Sequence, residues 1–279
     1  MRNGPENLDE ATVRDFGREW ARFDQKAICP EELRQIFNSY FAIFPWDRLP
    51  IQAVGFDAGC GGGRWAALTA PRVGLLHCID ASAQAVQVAK THLDGLANVV
   101  VHEAPIDAMP LADGTMDFGY CIGVLQCLPD PAAGLAACVR KLKPGAPMLI
   151  YTYYAFDNRP RWFRELWRVS DIFRRAISVA PFWLKSVIAE VIAALVYWPV
   201  ARAAGAFERV GKSVSNWPLS GYRRHSYYVM RNDALDRFGT RLEHRMTRAE
   251  IEAMMTNAGL GSVRFSESGP FWCAVGQRP

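Results

Sequence analysis

The chain has 279 residues, half of them hydrophobic and 22% charged, with a formal net charge of +4. That length holds one large domain or one domain with an elaborated appendage, and the balance excludes a disordered or fibrous chain. The net charge is too small to argue for nucleic acid as a partner. The seven cysteines are odd in number and show no CxxC pair. They read as buried free thiols in a reducing compartment, with no zinc or other metal site expected. The polar start, MRNGPENLDE, has no apolar signal-peptide core, so a cytoplasmic location is expected.

Residues 1–50 read as two helices carrying Phe16, Trp20, Phe23, Tyr40, Phe41 and Trp46. From Ile51 to Tyr154, short apolar runs then alternate with helical periods. IQAVGFD predicts a strand, GCGGG a loop and RWAALTA a helix. VGLLHCID predicts the second strand, followed by a helix capped by Ser82. NVVVHEA and MDFGYCIG predict strands three and four, PAAGLAACVRKLK a helix, and APMLIYTYY strand five. Strands joined by single helices need right-handed crossovers, hence a parallel sheet with helices on both faces. Near-continuous apolar strands fit that burial.

Between about Phe156 and Arg245 the alternation stops. This stretch is rich in arginine and aromatic residues and reads as two helices plus an irregular connector. Its most hydrophobic part, Ile188 to Phe207, is interrupted by Glu190 and Arg202, leaving eleven uncharged residues between them. Roughly 20 apolar residues are needed to cross a bilayer, so no membrane span is expected. TRAEIEAMMTNAG then predicts a helix with a Thr247–Glu250 capping box and a Gly259 stop, before two closing strands, GSVRFSES and PFWCAVGQ.

The strongest local signal is the run from Val54 to Trp65, a strand entering a glycine-rich turn that opens a helix. Glycine lets the backbone take positive φ and lets a ligand approach closely. A helix N-terminus suits a carboxylate or a phosphate. Seventeen residues after Gly63, at the end of the second strand, Asp80 can accept from both hydroxyls of a ribose. These features leave the nucleotide open, because Gly61-x-Gly63-x-x-Ala66 also satisfies the dinucleotide fingerprint.

Five motifs in order carry a family resemblance. Asp57-x-Gly59-x-Gly61-x-Gly63 resembles motif I of class I S-adenosylmethionine-dependent methyltransferases, and Asp80-Ala81-Ser82 resembles their acidic second-strand end. Ala108–Asp117 is similar to the entry to strand four, Gly123–Asp130 to the "VLHHLPD" segment, and Leu142–Gly145 to the "LKPGG" turn. The nearest flavour is the ubiquinone/menaquinone-biosynthesis type and its small-molecule relatives. The resemblance implies an α/β fold built on a Rossmann-like sheet, mostly parallel with an antiparallel last strand. N-terminal helices (1–50) and a helical insertion after strand five (156–245) would accompany a core of 51–155 and 246–279. It implies S-adenosyl-L-methionine as cofactor. Asp57, Gly59, Cys60, Gly61 and Gly63 would hold the methionine end, and Asp80 with Ala81 the ribose. Ile106 and Asp107 would border the adenine, and Cys121, Ile122 and Gly123 the floor under the sulfonium. Two departures stand out: Pro105 replaces an acidic residue often found before Asp107, and Gln126-Cys127 replace an aromatic or histidine pair.

Methyl transfer from a sulfonium needs alignment and a dry pocket, with a base only where the acceptor loses a proton. Tyr153, at the end of strand five, and His225, in the insertion, are the catalytic candidates. The insertion is expected to cap the acceptor region and to favour a small or lipid-linked metabolite over a nucleic acid. Its arginine-bearing helix, Arg159 to Arg175, is also suited to peripheral contact with an anionic lipid surface, and the insertion could serve instead as a homodimer arm. The competing readings are a non-catalytic S-adenosylmethionine-binding regulator and a nicotinamide-dependent oxidoreductase. The second would leave the strand-four and strand-five motifs unexplained.

Overall fold

The computed structural model describes residues 7–23 and 27–279. The first six residues of the polar start lie outside them. The chain divides into two compact units. The first comprises the described residues up to 23, Leu33–Ala155 and Leu242–Pro279. The second comprises Phe156–Arg241 with the short segment ending at Glu32.

The first unit is built on a seven-stranded sheet: β1 (Val54–Ala58), β2 (Leu75–Asp80), β3 (Val99–Glu103), β4 (Phe118–Ile122), β5 (Pro147–Tyr151), β6 (Gly261–Phe265) and β7 (Ala274–Gln277). Their order is β3-β2-β1-β4-β5-β7-β6. The first five pair in parallel, and β7 runs antiparallel to both of its neighbours. This is the expected doubly wound, mostly parallel sheet with its antiparallel last strand. The winding reverses beside β1, with β2 and β3 laid down on one side and β4 and β5 on the other, so the crevice at the carboxyl ends there is where such sheets take ligands.

The helices of this unit are α1 (Glu10–Arg22), α2 (Pro30–Tyr40), α3 (Ala66–Thr69), α4 (Ala83–His92), α5 (Pro131–Lys141), and α10 (Arg248–Asn257) late in the chain. Caps fix their starts. Ser82 accepts from Ala85 N, and Thr247 and Glu250 form a reciprocal capping box. Separate apolar clusters fill the two faces of the sheet. Phe118, Tyr120 and Ile122 point to one face, whereas Cys121 points to the other. Between β1 and β4 the packing interlocks. Gly55 pairs with Phe118 and Phe56 with Gly119. A Cβ on either glycine would lie 2.3 Å from the facing phenyl ring. Each ring thus occupies the space that a side chain on the opposite strand would need.

The second unit differs from the expected two helices and connector. It holds α6 (Arg161–Ser178), α7 (Phe182–Ile192), α8 (Trp198–Arg209) and α9 (Tyr227–Gly239). A π turn, Ala193–Tyr197, joins α7 and α8 without a break, and Trp198 N bonds to Ala193 O. The wider turn accommodates Pro199, which has no N–H to offer an α-helical partner. The resulting helix, Phe182–Arg209, runs for 28 residues with a mean hydropathy of 1.6 over its most apolar window. It is long and apolar enough to cross a membrane by length and composition. Glu190 and Arg202 both lie within this helix without breaking it.

Candidate cofactor site

Four positions built from consecutive residues converge at the carboxyl edge of β1, β2 and β4. After β1, Gly59, Gly61 and Gly63 take φ of +79°, +54° and +78°. A Cβ on Gly61 would lie 2.3 Å from Trp20 Cε2, so the α1 indole rests directly on the loop. Gly17, one helical turn earlier, lets α1 approach Ser82 and Gln84 beside the end of β2. Trp20 therefore covers cofactor-loop backbone rather than serving only as core.

One sequence expectation needs correction. The loop amides are not a free donor set: Gly59 N and Cys60 N donate to Ile79 O, and Gly63 N donates to Cys60 O. Gly61 N donates to Asp80 Oδ2 at 2.8 Å. The helix that follows, α3, spans four residues, too short to build the expected anion-binding N-terminus. The residue able to meet a carboxylate is Arg64, which sequence reasoning missed. Its Nε is buried with no hydrogen-bond partner among the described residues. Its guanidinium sits 4.2 Å from the Trp65 ring centroid and 5.5 Å from that of Trp20.

Asp80 ends β2. Oδ1 accepts from Ser82 N at 2.8 Å and Oδ2 from Gly61 N. Each oxygen therefore keeps a lone pair for a ligand hydroxyl. Burial raises its pKa, while the two backbone donors pull it down. Asp57, one strand over, is buried, and its Oδ2 has no partner among the described residues. Desolvation lifts its carboxyl to about 8; the nearby Tyr120 hydroxyl and Arg64 oppose that shift and Asp80 adds to it.

On the adenine side, Ile106 is buried in a 3₁₀ turn. Asp107 Oδ2 accepts from Asn7 N at 3.3 Å, and its Oδ1 is buried without a partner among the described residues. Asn7 also brackets the first turn of α5, donating to Asp130 O at 2.7 Å and accepting from Asp130 N at 2.8 Å. Cys121 and Ile122 are buried at the end of β4, and Gly123 follows with φ +76°. Beside Gly123, Gln126 is fully buried, and neither polar atom of its amide finds a partner among the described residues. Thr152 Oγ1, just past β5, is likewise buried and unpartnered there. These two groups were not singled out on the acceptor side from sequence, because their significance depends on burial.

Tyr153 lies one residue further on. Its ring is 6.3 Å from that of Tyr151 and 5.2 Å from the Arg245 guanidinium. His225 belongs to the second unit, where its Nδ1 lies 3.1 Å from Glu32 Oε1 and its carbonyl accepts from Arg202 at 2.8 Å.

Residues 56–150 match the methyltransferase domain family. The chain carries a class I S-adenosylmethionine-dependent methyltransferase domain. Its cofactor is S-adenosyl-L-methionine, and the residues present fit that group. Asp80 keeps two lone pairs for the ribose, and Asp57, Arg64 and Asp107 each offer a buried atom with no partner among the described residues. Among relatives of this methyltransferase domain, the ubiquinone biosynthesis O-methyltransferase of Thiobacillus denitrificans is 37% identical over 105 residues, 37% of this chain and 44% of that one. The protein of the same name from Hahella chejuensis is 34% identical over 166 residues, 57% of this chain and 66% of that one. The chain thus spans less than two thirds of the length of these relatives. Its fold is similar to a chain from the Haloferax volcanii complex of the Trm112 methyltransferase activator with a methyltransferase, at TM-score 0.53, 16% identity, and 96% and 97% coverage. It is also similar to a SAM-dependent methyltransferase from Thermotoga maritima, at TM-score 0.52, 13% identity, and 96% and 100% coverage.

Proposed function

We propose that the protein is an enzyme that methylates a small or lipid-linked metabolite. The observation that carries this is Asp80, fixed by Gly61 N and Ser82 N at the end of β2 with a lone pair left on each oxygen. When bound, S-adenosyl-L-methionine supplies an electrophilic methyl group on a sulfonium. Asp80 would hold the ribose, Asp57 and Arg64 the amino-acid end, and Ile106 with Asp107 the adenine. Cys121, Ile122 and Gly123 would form the floor. Buried Phe56, Cys121 and Leu125 near this edge exclude water, which supports an alignment-driven displacement.

On the acceptor side, the unpartnered amide of Gln126 and hydroxyl of Thr152 offer hydrogen bonds that orient a polar acceptor. Tyr153 and His225 are the groups proposed to take a proton where the acceptor carries one. The names of the curated relatives support an oxygen acceptor for those proteins, and by extension a hydroxylated metabolite here. All seven cysteines are free and six of them buried, which supports a reducing, cytoplasmic setting.

Calorimetry with S-adenosylhomocysteine, followed by turnover of methyl-labelled donor against a metabolite extract, tests the reading. Binding together with label transfer to a small product is the expected result. Tight NAD binding without S-adenosylhomocysteine binding would overturn it.

A further inference from the structure

Two helices of the second unit turn apolar faces to solvent. Among the described residues, sixteen large hydrophobic side chains are exposed, and fourteen of them lie between Trp162 and Val210. On α6, Trp162, Leu166, Val169 and Phe173 follow steps of four, three and four, which place them on one helix face. The buried residues of the same helix are Asp171, Arg174 and Ser178. On the long helix, Trp183, Val187, Val191, Leu195 and Trp198 form an exposed stripe, while Lys185, Ser186 and Ala189 are buried.

The inward charges are satisfied within the unit. Arg174 Nη1 donates to Thr240 O and Lys185 Nζ to Gly239 O, both at 2.9 Å and both at the carbonyl end of α9, where cations are favoured. Glu190 takes Arg231 at 2.7 Å and the Tyr227 hydroxyl at 3.1 Å. Arg202 donates to the carbonyls of Arg223 and His225. A helix that spends its polar groups inward and shows its apolar stripe outward is built for a partner less polar than water.

Charge identifies that partner. Residues 156–241 hold fifteen basic and seven acidic side chains, a net of +8 in a chain whose total is +4. Arg161, Arg168 and Arg175 are exposed and recur every seven residues, forming a row along one flank of the α6 apolar face. Arg168 pairs with Glu165, while Arg175 shares Asp171 with Arg174.

We propose that the outward face of α6 and of the Phe182–Arg209 helix is a docking surface for an anionic lipid bilayer. The helices lie in the plane of the interface, with tryptophans and apolar side chains in the headgroup–acyl boundary and the arginine row against lipid phosphate. A second copy of the chain would bring one arginine row against another, which like-charge repulsion opposes. The long helix does not span the membrane, because Lys185, Glu190 and Arg202 would have to leave their partners and enter hydrocarbon. This inference does not rest on methyl transfer.

Flotation of the full chain with vesicles tests it, using phosphatidylcholine alone or with about a third phosphatidylglycerol. The wild type floats with the anionic vesicles, stays behind with the neutral ones, and is released by high salt. Two variants keep the wild-type melting temperature and S-adenosylhomocysteine affinity: Phe173→Glu with Leu195→Glu, and Arg161→Ser with Arg168→Ser and Arg175→Ser. Each lowers partitioning roughly tenfold or more. Three results overturn the proposal. One is a wild type that ignores anionic vesicles at low salt. Another is flotation that the variants do not weaken or that salt cannot reverse, the latter marking a span. The third is a dimer by light scattering that Phe173→Glu dissociates, without any flotation.

Discussion

The two units dispose of apolar side chains differently, for the second buries Met230, Leu235 and Phe238 but leaves many others in solvent. In the first, Phe56, Phe118 and Leu149 are fully buried, and among the described residues outside 162–210 only Ile51 and Val100 are large, apolar and exposed. In the second, Asp171, Arg174 and Lys185 go inside, while Phe173 and Trp183 remain outside at 63% and 67% exposure. Hydrophobic content alone therefore does not locate a core. A strand of the parallel sheet meets apolar cover on both faces from its own chain, whereas α6 meets charged and backbone groups on its inner side.

Substitution of like residues breaks or sharpens this contrast most strongly. Phe56→Ala removes a ring enclosed by the sheet and the Gly119 backbone, and is expected to cost about 3–5 kcal/mol, read from a urea midpoint. A loss under about 1 kcal/mol would show that the first unit is not the rigidly packed one. In the cofactor site, Asp80→Ala removes a charged acceptor and leaves Gly61 N and Ser82 N without theirs. S-adenosylhomocysteine affinity should fall by about a hundredfold or more, measured by calorimetry against Asp113→Ala, whose carboxylate is exposed and pairs with Lys141.

Asp57 gives an intermediate effect. Its carboxyl is raised from an ordinary 3.8 to about 8, so between those values the folded apoprotein keeps a proton that the unfolded chain releases. Stability attributable to this group is present at low pH and lost as pH rises through that window, by at most about 1.4 kcal/mol per pH unit. Asp57→Asn should flatten the fall in apoprotein melting temperature between pH 5 and pH 8 (about the span of the window); an unchanged slope would remove Asp57 as its source. The smallest effect belongs to the second unit. Phe173→Ala should change stability in buffer by no more than about 0.5 kcal/mol, since the ring has little native burial to lose. A loss of core size would mean that the α6 face is covered in solution.

Most of the first unit was readable from residue order, because its information is local. β4 and β5 are continuous apolar runs, and the caps at Ser82 and at Thr247 with Glu250 lie within four residues of what they bond. Asp80 and the glycine loop were legible for the same reason. What escaped depends on tertiary placement. Arg64 looks like any surface arginine until its Nε proves to be buried, and Trp20 reads as core until its indole is found on Gly61. Gln126 counts as a departure from the family pattern until both ends of its amide are seen to lack partners among the described residues. The second unit was read least well, and α9 shows why. Arg231, Asp233, Asp236 and Arg237 give Tyr227–Gly239 the composition of a loop, yet it is a helix whose buried side includes Asn232 and Gly239. The rest of that side is Val229, Met230, Ala234, Leu235 and Phe238, apolar residues that the charges between them hide from a linear reading.

The ring-and-glycine exchange between β1 and β4 has a consequence for how this sequence can change over time. Phe56 and Gly119 form one lock, and Gly55 and Phe118 the other. Widening Gly119 alone sets a side chain into the Phe56 ring, and trimming Phe56 alone opens a void. The viable moves are paired ones, in which bulk migrates from one strand to the other in a single step. The β1–β4 seam, one residue short of Asp57 and the cofactor loop, is thus a place where independent drift is poorly tolerated, although none of these four side chains is assigned to the ligand.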